Sequence, residues 1–421
     1  MRNHAIASRK KLYERLESGS IVLLFSGEAP HMSLDQYYAY TPQRNFFYLT
    51  NLNEPHMILM LMKGKTQNKV ALFIEENTDF IIKWEGARME KSEVSERSGI
   101  DESDIHYLKS FEGFFNMAMN YARSPLGAPA TNLYLDLYHP KFSKKPVALK
   151  QAETVLENYP ELSVKNVNEH LSYLRMFKSK EEVEQLKNAV QYTRVGLERI
   201  MKNLDKRRFE YQLQADFLHQ ITFEGSEGVA FQTIAASGKN ATVLHYVENR
   251  DTLKDGELIL FDLGALHQNY AADISRTYPI NGVFTERQKL LYSIVLKANK
   301  ETINFVKPGI TWKELNEFSR NILIKETKKI GLIENDAEIA NYYYHTIGHF
   351  LGLDVHDVGY YDQKLEPGMV LTIEPGLYIN EEKIGIRIED DILVTEDGCI
   401  NLSEDIPKEI DEIERFIKEN K

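Results

Sequence analysis

Acidic residues interrupt the apolar segments of the second half of the chain. Asp262 lies inside the run 258–264, whose other residues are typical of a buried strand, and Asp273 lies in the next such run, 271–277. An ionised carboxylate in apolar surroundings is unstable unless it meets a cation, binds a metal or takes up a proton. If the two runs pair as antiparallel neighbours, both acids come to one place. For either residue alone, a surface Asp in a hairpin remains the simpler interpretation.

The same pattern recurs downstream. Glu374 follows the apolar run 370–373, and Glu389 follows the run 384–388. Four acids therefore end or interrupt strand-like segments, and together they favour a shared cation site over four unrelated surface positions.

Three of the chain's 12 histidines fall between residues 345 and 356: His345, His349 and His356. The spacing of the first two suggests the HExxH zinc motif, but Thr346 stands where that motif needs Glu, and Gly348 weakens a helix. We therefore reject that motif. Ordinary hydrogen-bonded histidines in a Gly-rich loop are the alternative, which loses weight once the four acids are counted.

Four carboxylates and one imidazole form an oxygen-rich ligand set, which suits manganese, cobalt or iron better than a thiolate-seeking ion. Carboxylates can bridge, so two ions are expected, and two ions can activate a water for attack on a carbonyl. Hydrolysis is the chemistry that this set favours. The sequence offers no rival nucleophile, because it has no GxSxG motif and its single cysteine, Cys399, follows Gly398 in a turn.

The elements that must position these residues differ between the two halves. The first half alternates a helical stretch, 107–122, with short β-branched or aromatic runs, which predicts an α/β domain. The predicted strands are 20–26, 46–52, 57–62, 70–74 and 132–137. The pattern changes at 163–180, where Ser179 and Glu182 have the spacing of a capping box that opens a helix.

The second half mixes capped helices with strands. Thr285 and Thr311 each precede a Gln or Glu by three residues and predict two further helices, and Ile410 lies on the apolar face of a last, C-terminal one. Predicted strands cover 258–264, 272–278, 369–373 and 384–394. The sequence contains no GxGxxG or Walker-type loop, so a nucleotide-binding βαβ fold is not expected.

Size and charge set further bounds. A chain of 421 residues predicts two domains. The net charge of −12, without a basic stretch, argues against nucleic acid or an anionic membrane as the main partner. Apolar runs are too short to span a bilayer, and one cysteine excludes an intrachain disulfide, so a cytoplasmic protein is expected.

With these residues in view, the sequence resembles the proline-directed metallopeptidases of pita-bread fold, and within them the Xaa-Pro aminopeptidase (aminopeptidase P) family. The matching segments are 261–276, 345–358, 371–378 and 385–391 in the second half, and 40–55 and 84–88 in the first. The resemblance implies an α+β fold: a pita-bread catalytic domain with a curved antiparallel sheet at 173–421, preceded at 1–172 by an α/β domain with a mixed sheet.

The resemblance also implies a site and its cofactors. The residues at the positions of the metal ligands are Asp262, Asp273, His349, Glu374 and Glu389. Two divalent ions are implied, most commonly Mn²⁺, with Co²⁺, Fe²⁺ or Zn²⁺ as alternatives. The implied substrates are proline-containing peptides, and the implied assembly is a homodimer or homotetramer.

Roles for the remaining site residues follow from the same resemblance. Glu374 would move the proton of the attacking water, while His245 and His356 would bind substrate and stabilise the tetrahedral intermediate. His345 would line the pocket near the proline ring. Arg387 would orient the carboxylates through a hydrogen bond.

Three alternatives remain at this point. Prolidase shares the fold and the ligands but cleaves dipeptides that end in proline, and the motifs do not separate it cleanly. A non-peptidase relative would usually lack a ligand, whereas here the set is complete. Methionine aminopeptidases resemble only the second half.

Overall fold

The computed structural model describes residues 1–138 and 145–420. The chain forms two compact units, Met1–Leu174 and Arg175–Lys421. The division expected from the sequence, 1–172 and 173–421, lies two residues earlier. Within the described residues, no helix combines the length and the apolar composition needed to cross a membrane.

In its described residues the first unit has eight strands, six of which form one mixed sheet. Its strands are β1 (Ser20–Phe25), β2 (His31–Ser33), β3 (Gln36–Tyr37), β4 (Ile58–Lys63), β5 (Asn68–Ile74), β6 (Ile105–Tyr107), β7 (Asn132–Leu135) and β8 (Ser163–Asn166). Its helices are α1 (Arg2–Arg15), α2 (Arg44–Thr50), α3 (Asp79–Trp84), α4 (Lys91–Ser98), α5 (Phe111–Ala118), α6 (Val147–Gln151), α7 (Glu153–Asn158) and α8 (Asn168–Met176), which contains the point of division.

The order of the large sheet is β6-β5-β4-β1-β7-β8, and β2 and β3 form a separate hairpin. Strand β1 pairs antiparallel with β4 and parallel with β7, so the sheet is mixed, as predicted. Consecutive residues of β1 are buried, which means that both faces of the sheet are covered.

Two predictions for this unit were wrong in detail. The segment 46–52 was expected to be a strand, but its residues 46–50 belong to α2, whose residues from Asn45 to Thr50 are all buried. A short segment buried on every side has no periodicity that separates helix from strand. The expected helix 107–122 is confined to α5, because β6 and a 3₁₀ turn at Leu108–Ser110 precede it.

The second unit consists of antiparallel strands and five α-helices in its described part. The strands are β9 (Ile234–Ser237), β10 (Leu258–Leu263), β11 (Leu266–His267), β12 (Tyr270–Ala271), β13 (Ile274–Pro279), β14 (Val370–Ile373), β15 (Gly376–Ile379), β16 (Ile384–Arg387), β17 (Asp390–Val394) and β18 (Cys399–Asn401). The helices are α9 (Lys180–Met201), α10 (Glu210–Phe223), α11 (Glu286–Phe305), α12 (Trp312–Lys329) and α13 (Ile410–Glu419).

The strands of this unit form small antiparallel sheets in the orders β13-β10-β9, β14-β17-β18, β15-β16 and β11-β12. The predicted capping boxes are present at the start of α9, α11 and α12, where Ser179, Thr285 and Thr311 each accept a backbone N–H. The expected strand 384–394 is divided, since β16 pairs with β15 and β17 pairs with β14. Glu389 lies in the break between them.

Close backbone packing beside β10 depends on Gly264. A Cβ atom at this position would lie 1.7 Å from the carbonyl oxygen of Ala272. We expect Gly264→Ala to lower the free energy of unfolding by about 1–3 kcal/mol, because the backbone must shift to relieve the overlap. The midpoint of urea denaturation measures this loss.

Gly398→Ala is the matched control, because a Cβ there meets no described atom within 4 Å. It should leave the denaturation midpoint almost unchanged. Equal midpoints for the two variants would contradict the packing interpretation.

Candidate active site

Two neighbouring strands bring the first two acids together. Asp262 lies in β10 opposite Ser275 of β13, and Asp273 immediately precedes β13. The antiparallel pairing predicted from the sequence is therefore confirmed. The side chain of Asp262 is 15 % exposed and that of Asp273 is 7 % exposed, so both carboxylates are largely withdrawn from water.

The other acids and His349 come from a second group of strands. Glu374 follows β14, and the backbone of His349 runs beside that strand: the N–H of Thr372 donates to the carbonyl of His349 at 2.9 Å. Gly348 makes this approach possible, because a Cβ there would lie 2.0 Å from the carbonyl oxygen of Thr372. His345 and His349 thus lie in a loop and not on the helix that an HExxH motif would require.

The five predicted ligands converge on one place. These side chains form three overlapping groups, and within each group the possible ligand atoms lie within 4.8 Å of one another. The groups are Asp262, Asp273 and Glu389; His349, Glu374 and Glu389; and Asp273, His349 and His356. His349 Nε2 lies 3.3 Å from Asp273 Oδ2 and 3.8 Å from Glu374 Oε1. Residues shared between the groups could contact more than one ion.

Charge balance within the cluster calls for cations. Burial and repulsion from Asp262 raise the pKa of Asp273 well above its usual value, and burial and repulsion from Asp273 do the same to the pKa of Glu389. Burial likewise raises the pKa of Glu374. Each carboxylate is thus unstable as an anion in the protein alone.

Arg387 is the guanidinium that faces these acids. Its Nη2 donates to Asp262 Oδ2 at 2.6 Å, and its Nε donates to Ser275 Oγ at 2.7 Å. Ser275 Oγ in turn donates to Glu389 Oε2 at 2.7 Å. Arg387 therefore orients Asp262 directly and Glu389 through Ser275, but one guanidinium cannot neutralise four carboxylates.

The ligand set fits divalent ions. The other oxygen of Asp262, Oδ1, is buried and accepts no hydrogen bond from any residue that the structure describes. A buried carboxylate oxygen without a donor is the atom that a metal would satisfy. An oxygen-rich set of ligands can bind manganese, iron, cobalt or zinc ions.

The cluster forms the wall of a cleft of about 490 Å³ within the second unit. His245, His345 and His356 also line the cleft, so the structure brings together every residue that the sequence assigned to the site. His345 Nε2 forms a hydrogen bond at 2.8 Å with the hydroxyl of Tyr378. Burial and the nearby Arg387 charge lower the pKa of His345 to about 4, so its ring is neutral at pH 7.

His356 lies on a segment that ion pairs hold in place. The neighbouring carboxylate of Asp357 is buried and accepts hydrogen bonds from Arg175 at 2.5 Å and Lys178 at 3.0 Å. The ring of His356 packs against that of His349, with 4.2 Å between centroids. Burial lowers the pKa of His356, which favours the neutral ring.

The sequence analysis missed two residues that contact the site. Ser275 connects Arg387 to Glu389, and Tyr378 connects Arg387 to His345, since its hydroxyl also receives a hydrogen bond from Arg387 Nη1 at 3.1 Å. Both lie inside segments that carried the family resemblance. Only the strand pairing could have identified their partners.

Comparison with known families gives the same picture. The sequence pattern of metallopeptidase family M24 matches residues 184–396, and that of the aminopeptidase P N-terminal domain matches residues 5–126. The chain belongs to metallopeptidase family M24. Xaa-Pro aminopeptidase from Escherichia coli is 34% identical, covering 97% of this chain and 96% of that protein, and the enzyme of the same name from Haemophilus influenzae is 32% identical over 97% and 96%.

Solved structures of M24 members superpose over the full chain. A putative aminopeptidase P from Bacillus anthracis is 45% identical with a TM-score of 0.95, covering 100% of this chain and 99% of that one. Zinc-substituted aminopeptidase P from E. coli, in complex with product, is 31% identical with a TM-score of 0.89 over 100% and 99%. The expected fold class, the resemblance to aminopeptidase P and the assignment as a metallo-exopeptidase of that family are confirmed.

Because the clustered carboxylates repel one another, removal of one of their charges should not destabilise the metal-free protein. Glu389→Gln removes one buried charge but keeps an oxygen that can accept from Ser275, so the chelator-treated variant should melt at the same temperature as the chelator-treated wild type or higher. Manganese at 100 times its Kd should stabilise the wild type by about 2.7 kcal/mol and the variant far less. Differential scanning calorimetry with and without manganese measures both.

Glu404→Gln is the control, because Glu404 is exposed. It should keep the full manganese response. A manganese response in Glu389→Gln equal to that of the wild type would refute the role of Glu389 as a ligand.

Proposed function

We propose that the protein is a dinuclear-metal-dependent aminopeptidase that releases the N-terminal residue from peptides with proline at the second position. The observation that carries the proposal is the convergence of four carboxylates, two buried and two partly buried, and His349 in three overlapping ligand groups on one cleft. Asp262, Asp273, His349, Glu374 and Glu389 would hold the two ions.

The comparisons support the substrate class. Relatives that match almost the whole chain include Xaa-Pro aminopeptidases, and E. coli aminopeptidase P, 30% identical, has been solved with the inhibitor Pro-Leu. A dipeptide that begins with proline has the chemistry of the fragment left after removal of the first residue. Prolidase activity is the alternative that the assay below separates.

Bound divalent ions would supply Lewis acidity, which lowers the pKa of a water and stabilises negative charge at the scissile carbonyl oxygen. We take Mn²⁺ as the working ion, with Co²⁺, Fe²⁺ and Zn²⁺ as alternatives; the E. coli relative has been studied in a zinc-substituted form.

Glu374 would move the proton. Its carboxylate lines the cleft with 18% of the side chain exposed, and Oε2 lies 3.9 Å from His345 Nδ1. It would accept a proton as water attacks the carbonyl carbon and return it to the proline nitrogen as the C–N bond breaks. One carboxylate thus serves both halves of the reaction.

Histidines of the cleft would contact the substrate. His245 and His356 line the cleft and can donate an N–H to the oxygen that gains charge. His345, with its pKa lowered by burial, would present an uncharged wall to the apolar proline ring. Arg387 would act as the orienting group through its bond to Asp262.

Substrate length tests the proposal. The manganese-loaded protein should hydrolyse Ala-Pro-Ala, and a chelated sample should not, with release of alanine followed by chromatography. Preference for the dipeptide Ala-Pro would assign the protein as a prolidase instead. Absence of cleavage of either peptide would favour a non-peptidase relative.

Ligand substitutions test the site. Asp262→Ala and Glu389→Ala should each lower kcat/KM for Ala-Pro-Ala by at least about 1,000-fold, because each removes a metal ligand. Circular dichroism should remain native, since neither side chain fills an apolar core. Glu404→Ala, at an exposed position, should keep wild-type activity. Activity near wild type in either ligand variant would overturn the assignment.

The proposal also includes a cytoplasmic location and a homo-oligomeric assembly. A cytoplasmic location is supported by the single cysteine, which allows no intrachain disulfide, and a homodimer or homotetramer is expected from the family resemblance. Cell fractionation and light scattering after size-exclusion chromatography measure the two properties.

A further inference from the structure

A buried carboxylate outside the metal cluster holds the loop that carries His245. Glu210, the first residue of α10, is 0% exposed. Burying an anion costs several kcal/mol unless hydrogen bonds compensate for the lost water. The five groups that donate to it are all electrically neutral, and within the described residues no ion pair with this carboxylate is present.

Four residues of the loop 237–251 supply those five donors. Oε1 accepts from the backbone N–H of Ser237 at 2.8 Å, from its hydroxyl at 2.7 Å and from Asn240 Nδ2 at 3.1 Å. Oε2 accepts from the hydroxyl of Tyr246 at 2.8 Å and from the backbone N–H of Asp251 at 2.9 Å. The carboxylate therefore contacts both ends of the loop and its middle.

The bond to Tyr246 is the one closest to the site. Tyr246 adjoins His245, whose exposed imidazole lines the cleft. Burial and the bond to Glu210 raise the pKa of Tyr246 to about 12, so its hydroxyl remains a donor throughout the neutral range. After the 3₁₀ helix Gly238–Thr242 the chain is irregular, so helix or strand hydrogen bonds do not fix His245.

A second buried side chain supports the end of the loop. Asn249 is 0% exposed, has a positive φ of 48°, and donates through Nδ2 to the carbonyl of Thr233 at 2.8 Å. Its Oδ1 accepts the backbone N–H of Ala235 at 3.0 Å. The far end of the loop is thereby tied to β9. Between Asn240 and Asn249, the hydroxyl of Tyr344 donates to the carbonyl of Thr242 at 2.8 Å, and Glu210 adds the bond to Tyr246, the residue next to His245.

We propose that Glu210 is a positioning residue for the proposed reaction: its carboxylate fixes the loop 237–251 and so holds His245 at the cleft. The proposal rests on the substrate-binding role of His245 in the proposed function. An apolar side chain would fill the same space without the cost of burying a charge, but it could not accept five hydrogen bonds from this loop.

Glu210→Gln tests the proposal, because one of the two acceptor oxygens becomes an amide nitrogen, which cannot accept the hydrogen bonds that this oxygen receives from the loop. We expect kcat/KM for Ala-Pro-Ala to fall about 10- to 100-fold in the otherwise wild-type protein, as is typical when a supporting hydrogen-bond partner is lost. In the His245→Ala background the same change should cost less than about 3-fold, because the group it positions is absent.

Hydrogen exchange supplies a readout that does not depend on activity. Glu210→Gln should speed amide exchange in residues 238–251 and leave β10 unchanged. The control is Asp216→Asn, which removes a buried carboxylate from the same helix, where it accepts from Arg207 and Arg199 instead of the loop. Exchange in residues 238–251 should not change in the control.

Several outcomes would overturn the proposal. An equal loss of activity from Glu210→Gln with and without His245 would mean that Glu210 supports the fold generally. Unchanged amide exchange in residues 238–251 would refute the positioning role of Glu210, whether or not the protein is active. Failure of the wild type to cleave either peptide would refute the proposed function and leave the exchange result interpretable. If Glu210→Gln does not fold, Tyr246→Phe removes one donor and should give a smaller loss in the same direction, again only when His245 is present.

Discussion

Repulsion among buried carboxylates is the constraint on which the second unit depends. Asp262, Asp273, Glu374 and Glu389 lie close together in a largely buried cluster, where burial and the neighbouring carboxylates raise the pKa of the last three. Arg387 offsets part of that repulsion through its contact with Asp262. A cluster of this kind is favourable only with further positive charge, which explains why an oxygen-rich site is also a strong one for divalent ions.

Two kinds of support hold this site together. The carboxylates lie on or next to antiparallel strands, whose backbone hydrogen bonds fix their positions. The histidines of the cleft lie in irregular segments and need other anchors. Asp357 provides one beside His356 through Arg175 and Lys178, and Glu210 provides another beside His245.

Secondary structure was predictable where local chemistry specifies it. The capping boxes at Ser179, Thr285 and Thr311 each contain their own partner three residues on, so the three helix starts were found correctly. Segment 46–52 was misassigned, because complete burial removes the periodicity that separates helix from strand. The break at Glu389 was also missed, since β16 and β17 separate only because they pair with different strands.

The sequence by itself indicated a cation site among four acids at strand-like runs, because a carboxylate within an apolar run must be neutralised by a cation, a metal or a proton. The family followed from the resemblance of motifs in both halves of the chain. The tertiary structure alone decided which groups meet: Ser275 between Arg387 and Glu389, Tyr378 beside His345, and Glu210 beneath the His245 loop. These contacts join residues far apart in the chain through strand register and loop path. Periodicity and local spacing carry no information about such partners.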